Sequence, residues 1–217
     1  PSRSFSLANG SVGYQWQLSP QSAINGSFMH AERAPAIEEL YSNGAHIATL
    51  TFDLGNPLLV KERSQNFDLS YKLQHNAWSM QAAIFRNSVK NFVYGASVDE
   101  DGDGIADHVN AEGELESGAE LLKREFRNVN ARFTGAELTL AYAPTQGFGF
   151  SAMADTVHGV ITSNGGGDLP RMSPSRIGGK LTWRSSSRDG WYADAGATHV
   201  FNQNRVAAFE TATPGYT

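Results

Sequence analysis

The chain has 217 residues, 18% of them charged, with 22 glycines, no cysteine and a formal net charge of -5. That charge argues against nucleic acid as a partner, the missing cysteine removes any disulfide framework, and no apolar run approaches the roughly 18 residues a membrane helix needs. Sparse charge with abundant glycine and 11% aromatic residues suits a β-barrel whose lipid side carries no charge.

Taken in order, the chain reads as strands. Over Ser4–Leu18, Val12, Tyr14, Trp16 and Leu18 alternate with Gly13, Gln15 and Gln17, the period-two pattern of a strand. Ser19-Pro20-Gln21 is a turn, and Ser22–Arg33 a second strand with Ile24 and Phe28 on one face. From His30 to about Arg63 the pattern breaks: Pro35, Gly44, Gly55 and Pro57 punctuate it, and Ala36–Tyr41 forms at most one helical turn. A loop this long within a compact domain is usually functional or disordered. Gln65–Leu73 alternates clearly, with Phe67, Leu69, Tyr71 and Leu73 against Asn66, Asp68, Ser70 and Lys72. Gln74-His75-Asn76 turns into a long strand, Ala77–Val93. A second long loop spans Tyr94–Arg127. Strands follow over Asn128–Tyr142, Phe148–Ile161, Pro174–Trp183 and Trp191–Asn204, separated by a turn at Ala143–Gly147, a Gly-rich loop at Ser163–Arg171 and a turn at Ser185–Gly190.

This gives roughly eight strands, each about 10–16 residues, against about 5–6 in soluble sheets and about 9–11 for tilted membrane-spanning strands. Short and long connections alternate, as in outer-membrane barrels with short periplasmic turns and long outer loops. Trp16, Trp78, Trp183 and Trp191 all fall near the short turns, where an aromatic girdle belongs. The fold expected is all-β: an antiparallel transmembrane β-barrel segment.

Several motifs carry a resemblance. Arg33-Ala34-Pro35, Glu38-Glu39-Leu40-Tyr41, Gly44-x-His46, Asp53-x-Gly55-Asn56-Pro57-x-Leu59 and Glu62-x-Ser64 resemble the opening of a long extracellular loop in TonB-dependent outer-membrane receptors. Arg132–Glu137, Leu169–Arg176 and the stretch from Val206 to Tyr216 are similar to later parts of such receptors. His30 with Gly44-Ala45-His46 is most similar to the zinc-uptake branch. The resemblance implies that residues 1–217 are the C-terminal part of a barrel of about 22 strands, without its plug domain and final strands. It implies uptake of a scarce metal ion, zinc in particular, or a metal chelate, energised through TonB by way of the plug. Outer-membrane lipid surrounds such a barrel. An iron-siderophore or haem receptor is the alternative within the family. A soluble calcium-stabilised β adhesion module is the alternative outside it.

Two ligand sets follow from the residues. Asp99, Asp101 and Asp103 stand at alternate positions before Gly104, the Ile105 carbonyl follows, and Asp107 stands at the ninth position, the spacing of a calcium loop. Asn110 occupies the twelfth position, where a bidentate Glu is usual, leaving Glu112 or Glu114 to substitute. Calcium here orders an outer loop, a role separate from transport. His30, His46 and His108 are the zinc candidates, all placed toward the outer end; a zinc site needs three or four converging ligands, and no HxH or HxxxH pair supplies two at once. Arg33, Arg132, Arg171 and Arg176 sit near strand ends, where they orient an anionic chelate or keep charge away from lipid. With no Gly-x-Ser-x-Gly, phosphate loop or dinucleotide fingerprint, no enzyme is expected.

Overall fold

The computed structural model describes residues 3–163, 165–186 and 190–217. Its elements in chain order are β1 (Gly10–Ser19), β2 (Ser22–Arg33), α1 (Ile37–Tyr41), β3 (Asn43–His46), β4 (Thr51–Leu54), β5 (Glu62–His75), β6 (Trp78–Ser97), β7 (His108–Val109), β8 (Leu121–Tyr142), β9 (Gly147–Ile161), β10 (Arg176–Arg184) and β11 (Tyr192–Val200). Eight of the strands make one continuous path, β1-β2-β5-β6-β8-β9-β10-β11, with every neighbour antiparallel. Both β1 and β11 are edges, so the sheet is open among the described residues. The turn expected over Ser185–Gly190 falls partly on residues 187–189, and the expected Gly-rich loop includes residue 164; both lie outside the described residues.

The register turns the sequence alternation into two faces. Trp16, Ile24, Tyr71, Ala82, Leu138, Ala154 and Ile177 lie in one cross-strand row. One residue along each strand, Gln15, Asn25, Ser70, Ala83, Glu137, Asp155 and Arg176 form the adjoining row on the opposite face. The apolar rows are open: Ile84 and Leu181 are each 55% exposed, and Phe67 52%. Among the described residues all strands belong to this one sheet, so no second sheet packs over those rows. A soluble sandwich would bury them at about 25 cal/mol per Å²; here hydrocarbon is the solvent that suits them. Toward the short turns, Trp78, one of the tryptophans expected in an aromatic girdle, packs at a tilt against Tyr142 (4.8 Å) and meets Phe150 edge-on (5.6 Å). The hairpin between β5 and β6 is tight because Asn76 takes φ 53, a left-handed value that asparagine tolerates.

Buried apolar residues sit above the sheet, among the outer loops. Leu40, Leu59 and Val93 form one cluster with Phe5 and Phe126 against it; Phe52, Val109 and Leu121 form another. Both depend on strands longer than the alternation suggests. β6 runs on to Ser97 and β8 starts at Leu121, so the two ends of the loop expected over Tyr94–Arg127 continue the sheet as an extended hairpin. A register shift between Val89 and Phe92, with Asn91 at φ 57, inserts an extra residue and flips the alternation there. Conversely, the residues before Gly10 do not extend β1. Side chains take their backbone groups instead: Ala8 N–H donates to Glu32 (2.9 Å) and Lys61 donates to the Ser6 carbonyl (2.7 Å).

Candidate functional site

The stretch with the strongest motifs folds as a bracket over the outer rim. Arg33, the last residue of β2, donates to Glu62 across the strand pair (2.7 and 2.8 Å) and to Glu39 on α1 (2.9 and 3.1 Å). Glu39 also accepts the Ala36 N–H (2.7 Å), capping the helix start. Glu62 in turn accepts the Val93 N–H (2.7 Å) from β6. Bonding to Glu62 raises the Arg33 pKa above its ordinary value, and the Lys61 ammonium and Ala8 N–H hold the Glu32 carboxyl below its own. Gly55 closes the bracket: a Cβ there would lie 2.5 Å from the Tyr41 nitrogen, so no other residue fits without moving backbone. Gly55 N–H donates to the Ser42 carbonyl (2.7 Å) and Asn56 N–H to that of Glu39 (2.8 Å). Arg33, Glu39 and the Asp53–Leu59 motif are therefore structural in this chain; Glu39 is occupied as a cap and clamp.

From the bracket, β4 pairs in parallel with the outer end of β8. Asp53 receives three hydrogen bonds from Arg124 at 2.8–3.0 Å, with both side chains largely buried (8% and 15% exposed). Sequence reasoning missed this pair. The partners stand 71 residues apart, and the topology alone brings them together.

The acidic loop is partly assembled. Carboxylate oxygens of Asp99, Asp101 and Asp107 lie within 4.8 Å of one another, and Asp107 is buried. A hard cation holds oxygens at about 2.3–2.6 Å, so opposed ligands stand about 4.6–5.2 Å apart, and the three carboxylates fit it. Asp103 lies outside this group and accepts the Ile105 N–H (2.7 Å); Ile105 is exposed. Neither Glu112 nor Glu114 joins it. The 110–114 segment closes on itself through Asn110, which accepts both N–H groups.

The histidines are dispersed. His46 is opposite Thr51, Thr51 opposite Leu122, and Leu122 opposite His108. Three strand spacings put His46 and His108 about 14 Å apart. His30 lies in another row between Gly10 and Gln65, 3.9 Å from Glu32. Among the described residues, no group of three metal-ligating side chains includes a histidine. His158 instead pairs with Asp168 at 2.8 Å, tying the loop after β9 to the strand.

The remaining feature is a cavity of about 500 Å³ at the outer rim, between the β6–β8 hairpin and the segments around residues 166–171 and 207–210. Tyr94, Arg127, Arg171 and Phe209 are among its lining residues. Sequence reasoning had Arg171 near a strand end but no signal for its neighbours across the cavity.

The sequence model of the family described as TonB dependent receptor-like, beta-barrel matches residues 1–217. The haem/hemopexin utilization protein C of Haemophilus influenzae is 25% identical, with 93% of this chain and 28% of that protein aligned. Among solved structures, the copper transporter OprC superposes with a TM-score of 0.73 at 19% identity, over 97% of this chain and 30% of that one. The FrpB iron transporter from Neisseria meningitidis gives 0.60 at 13% identity, over 96% and 31%. The chain thus spans less than a third of each of these relatives.

Proposed function

The chain belongs to the TonB-dependent receptor β-barrel family of the Gram-negative outer membrane, and from that premise we propose that it forms part of the barrel of a receptor importing a metal chelate, energised through TonB by way of a plug. The role is transport, not catalysis. What supports the chelate over a bare zinc ion is the dispersal of the candidate ligands: His46 and His108 stand at the two ends of one row, about 14 Å apart by three strand spacings, and His30 lies in another row. A chelate brings its own metal ligands and needs none of these imidazoles; zinc alone needs three or four to converge. The relative named for haem utilization agrees with this substrate class. The test is zinc binding by the intact receptor. The double variant His30→Ala/His46→Ala is expected to bind Zn2+ as the parent does, within twofold. A large loss of affinity would return zinc, bound by those residues, as the cargo.

Calcium has a separate, structural place in the proposal. Asp99, Asp101 and Asp107 would hold it, with Asp103 and the Ile105 carbonyl as further donors once the loop closes around the ion. Extracellular calcium modules bind at about 10⁻⁴–10⁻³ M. At ten times that constant, amide exchange over residues 99–107 in the intact receptor is expected to slow roughly tenfold, and Asp107→Asn to abolish the effect. Unaltered exchange at millimolar calcium would remove the ion from the proposal.

A further inference from the structure

We infer that the outward wall of the barrel carries a seat for a phosphate-bearing lipid of the outer leaflet. Arg63, Arg86, Lys90 and Arg132 take its phosphates, and an apolar depression beneath them takes an acyl chain. The seat is independent of the cargo. Three observations carry it, and the first is facing. The register that sets Trp78, Ile84 and Leu138 on the lipid side sets all four cations there too. Phe67, Arg86 and Thr134 form one row, Gln65, Ser88 and Arg132 the next, and Glu32, Arg63 and Lys90 the one after. The expectation of a lipid side without charge therefore holds only as far as the row of Ile84 and Ala136. All four cations are exposed.

The second observation is that the cations are crowded and barely neutralised. The chain has a net charge of -5, yet Glu32 is the only carboxylate in these three rows. Lys61 (2.6 Å) and Arg63 (3.2 Å) share it. Arg86, Lys90 and Arg132 have no hydrogen bond or ion pair among the described residues. Arg63 and Lys90 are direct cross-strand neighbours. Like charges so placed destabilise a sheet, and an anion over them removes the repulsion. From strand spacing and rise, each of the four cations has another within about 8 Å between Cα atoms. Guanidinium forks at that spacing suit phosphate oxygens.

The third observation is depth. Arg86 and Lys90 stand eight and twelve residues beyond Trp78 on β6, and Arg132 ten residues from Tyr142 on β8. At about 3.4 Å per residue and a tilt of about 40°, they lie about 21, 31 and 26 Å above the girdle. The apolar band of such a barrel is about 25 Å tall. The cations thus straddle its outer margin, where long side chains reach headgroup level. Directly below them is a depression of about 390 Å³, in which Ala82 and Ala136 lie among Leu69, Tyr71, Ile84 and Leu138. Phosphate sites continuous with an apolar depression on the membrane side select a lipid over a free ion.

The experiment is native mass spectrometry of the intact receptor in detergent, titrated with three probes. These are diglucosamine bisphosphate lipid A, its monophosphoryl form, and diacylglycerol, which has acyl chains but no phosphate. Affinity is expected to fall in that order. Arg86→Gln/Arg132→Gln is expected to weaken the bisphosphate lipid about tenfold to a hundredfold, the range of charge-assisted hydrogen bonds. Arg86→Lys/Arg132→Lys should restore much of it. Lys72→Gln/Lys180→Gln removes two cations from the lumen side, and its affinity should stay within twofold. Ala82→Phe fills the depression and should weaken the lipid severalfold; unchanged affinity there overturns the acyl seat. Unchanged affinity in Arg86→Gln/Arg132→Gln, an equal loss in the lumen variant, or equal binding of diacylglycerol overturns the whole proposal. Displacement of the lipid by millimolar inorganic phosphate does so too, since the site then takes the free ion. A lipid-free receptor that is dimeric, with a monomeric Arg86→Gln/Arg132→Gln variant, makes the wall an interface between copies and overturns the lipid as its occupant.

Discussion

Asp53→Ala is expected to destabilise the outer platform, the β3–β4 pair seated on the outer end of β8, by about 3–5 kcal/mol, the cost of leaving a buried charge without its partner. Arg124 donates three hydrogen bonds to that carboxylate and is too enclosed to recover them from water. The loss is local, since β4 touches the barrel through β8. The measurement is amide exchange at Leu122, whose N–H donates to the Leu50 carbonyl (3.0 Å); protection should fall by about a hundredfold or more, as 1.4 kcal/mol is a factor of ten. In Asp53→Ala/Arg124→Met, where no charge remains buried, most of the protection should return. Unchanged exchange in the single variant would mean that β-pairing and the Phe52–Val109–Leu121 cluster hold the platform without the ion pair.

The second large effect concerns the sheet. Leu138 lies in the middle of the apolar rows, with the Trp78–Tyr142 row toward the short turns and the Arg86–Thr134 row toward the loops. Leu138→Arg is expected to destabilise the intact barrel by about 2–4 kcal/mol in a bilayer, the midplane cost of a cation on the lipid side. Thr139→Arg, one residue on and facing the polar side, should cost roughly 0.5 kcal/mol or less. Reversible unfolding from lipid vesicles measures both. Equal effects would contradict the facing assigned by the register.

The two ends of the molecule were not equally legible. Within the sheet, Phe67 to Leu73 and Ala136 to Tyr142 announced their faces, because one side must satisfy hydrocarbon and the other water. Above it, β8 extends through Leu121 to Arg127 although that segment shows no apolar period. That end of β8 pairs with β4 and buries both Leu121 and Lys123 among the loops, so no face of it is reserved for hydrocarbon and alternation carries no information there. The bulge at Asn91 shifted the phase at the outer end of β6 for a geometric reason, the extra residue. The acidic loop was visible because its ligands are local, and Asp99 and Asp101 do converge with Asp107. Asp103 stands apart, held by the amide two residues on.

The motif residues teach a related point. Arg33, Glu39 and Gly55 were recognisable as a pattern, yet their part in the chain is mechanical: they fasten a loop to the rim. The histidines looked alike in sequence, all near the outer end, and the register scattered them.

What the sequence determined by itself was the class of fold and its surroundings, since those follow from local alternation, strand length and the rhythm of short and long connections. What only the tertiary structure decided was which loop residues meet. Asp53 with Arg124, and Glu210 with the Arg171 backbone, join segments 71 and 39 residues apart. Contacts of that separation leave no periodic trace, because their geometry is set by strand order and register and not by anything either segment encodes alone.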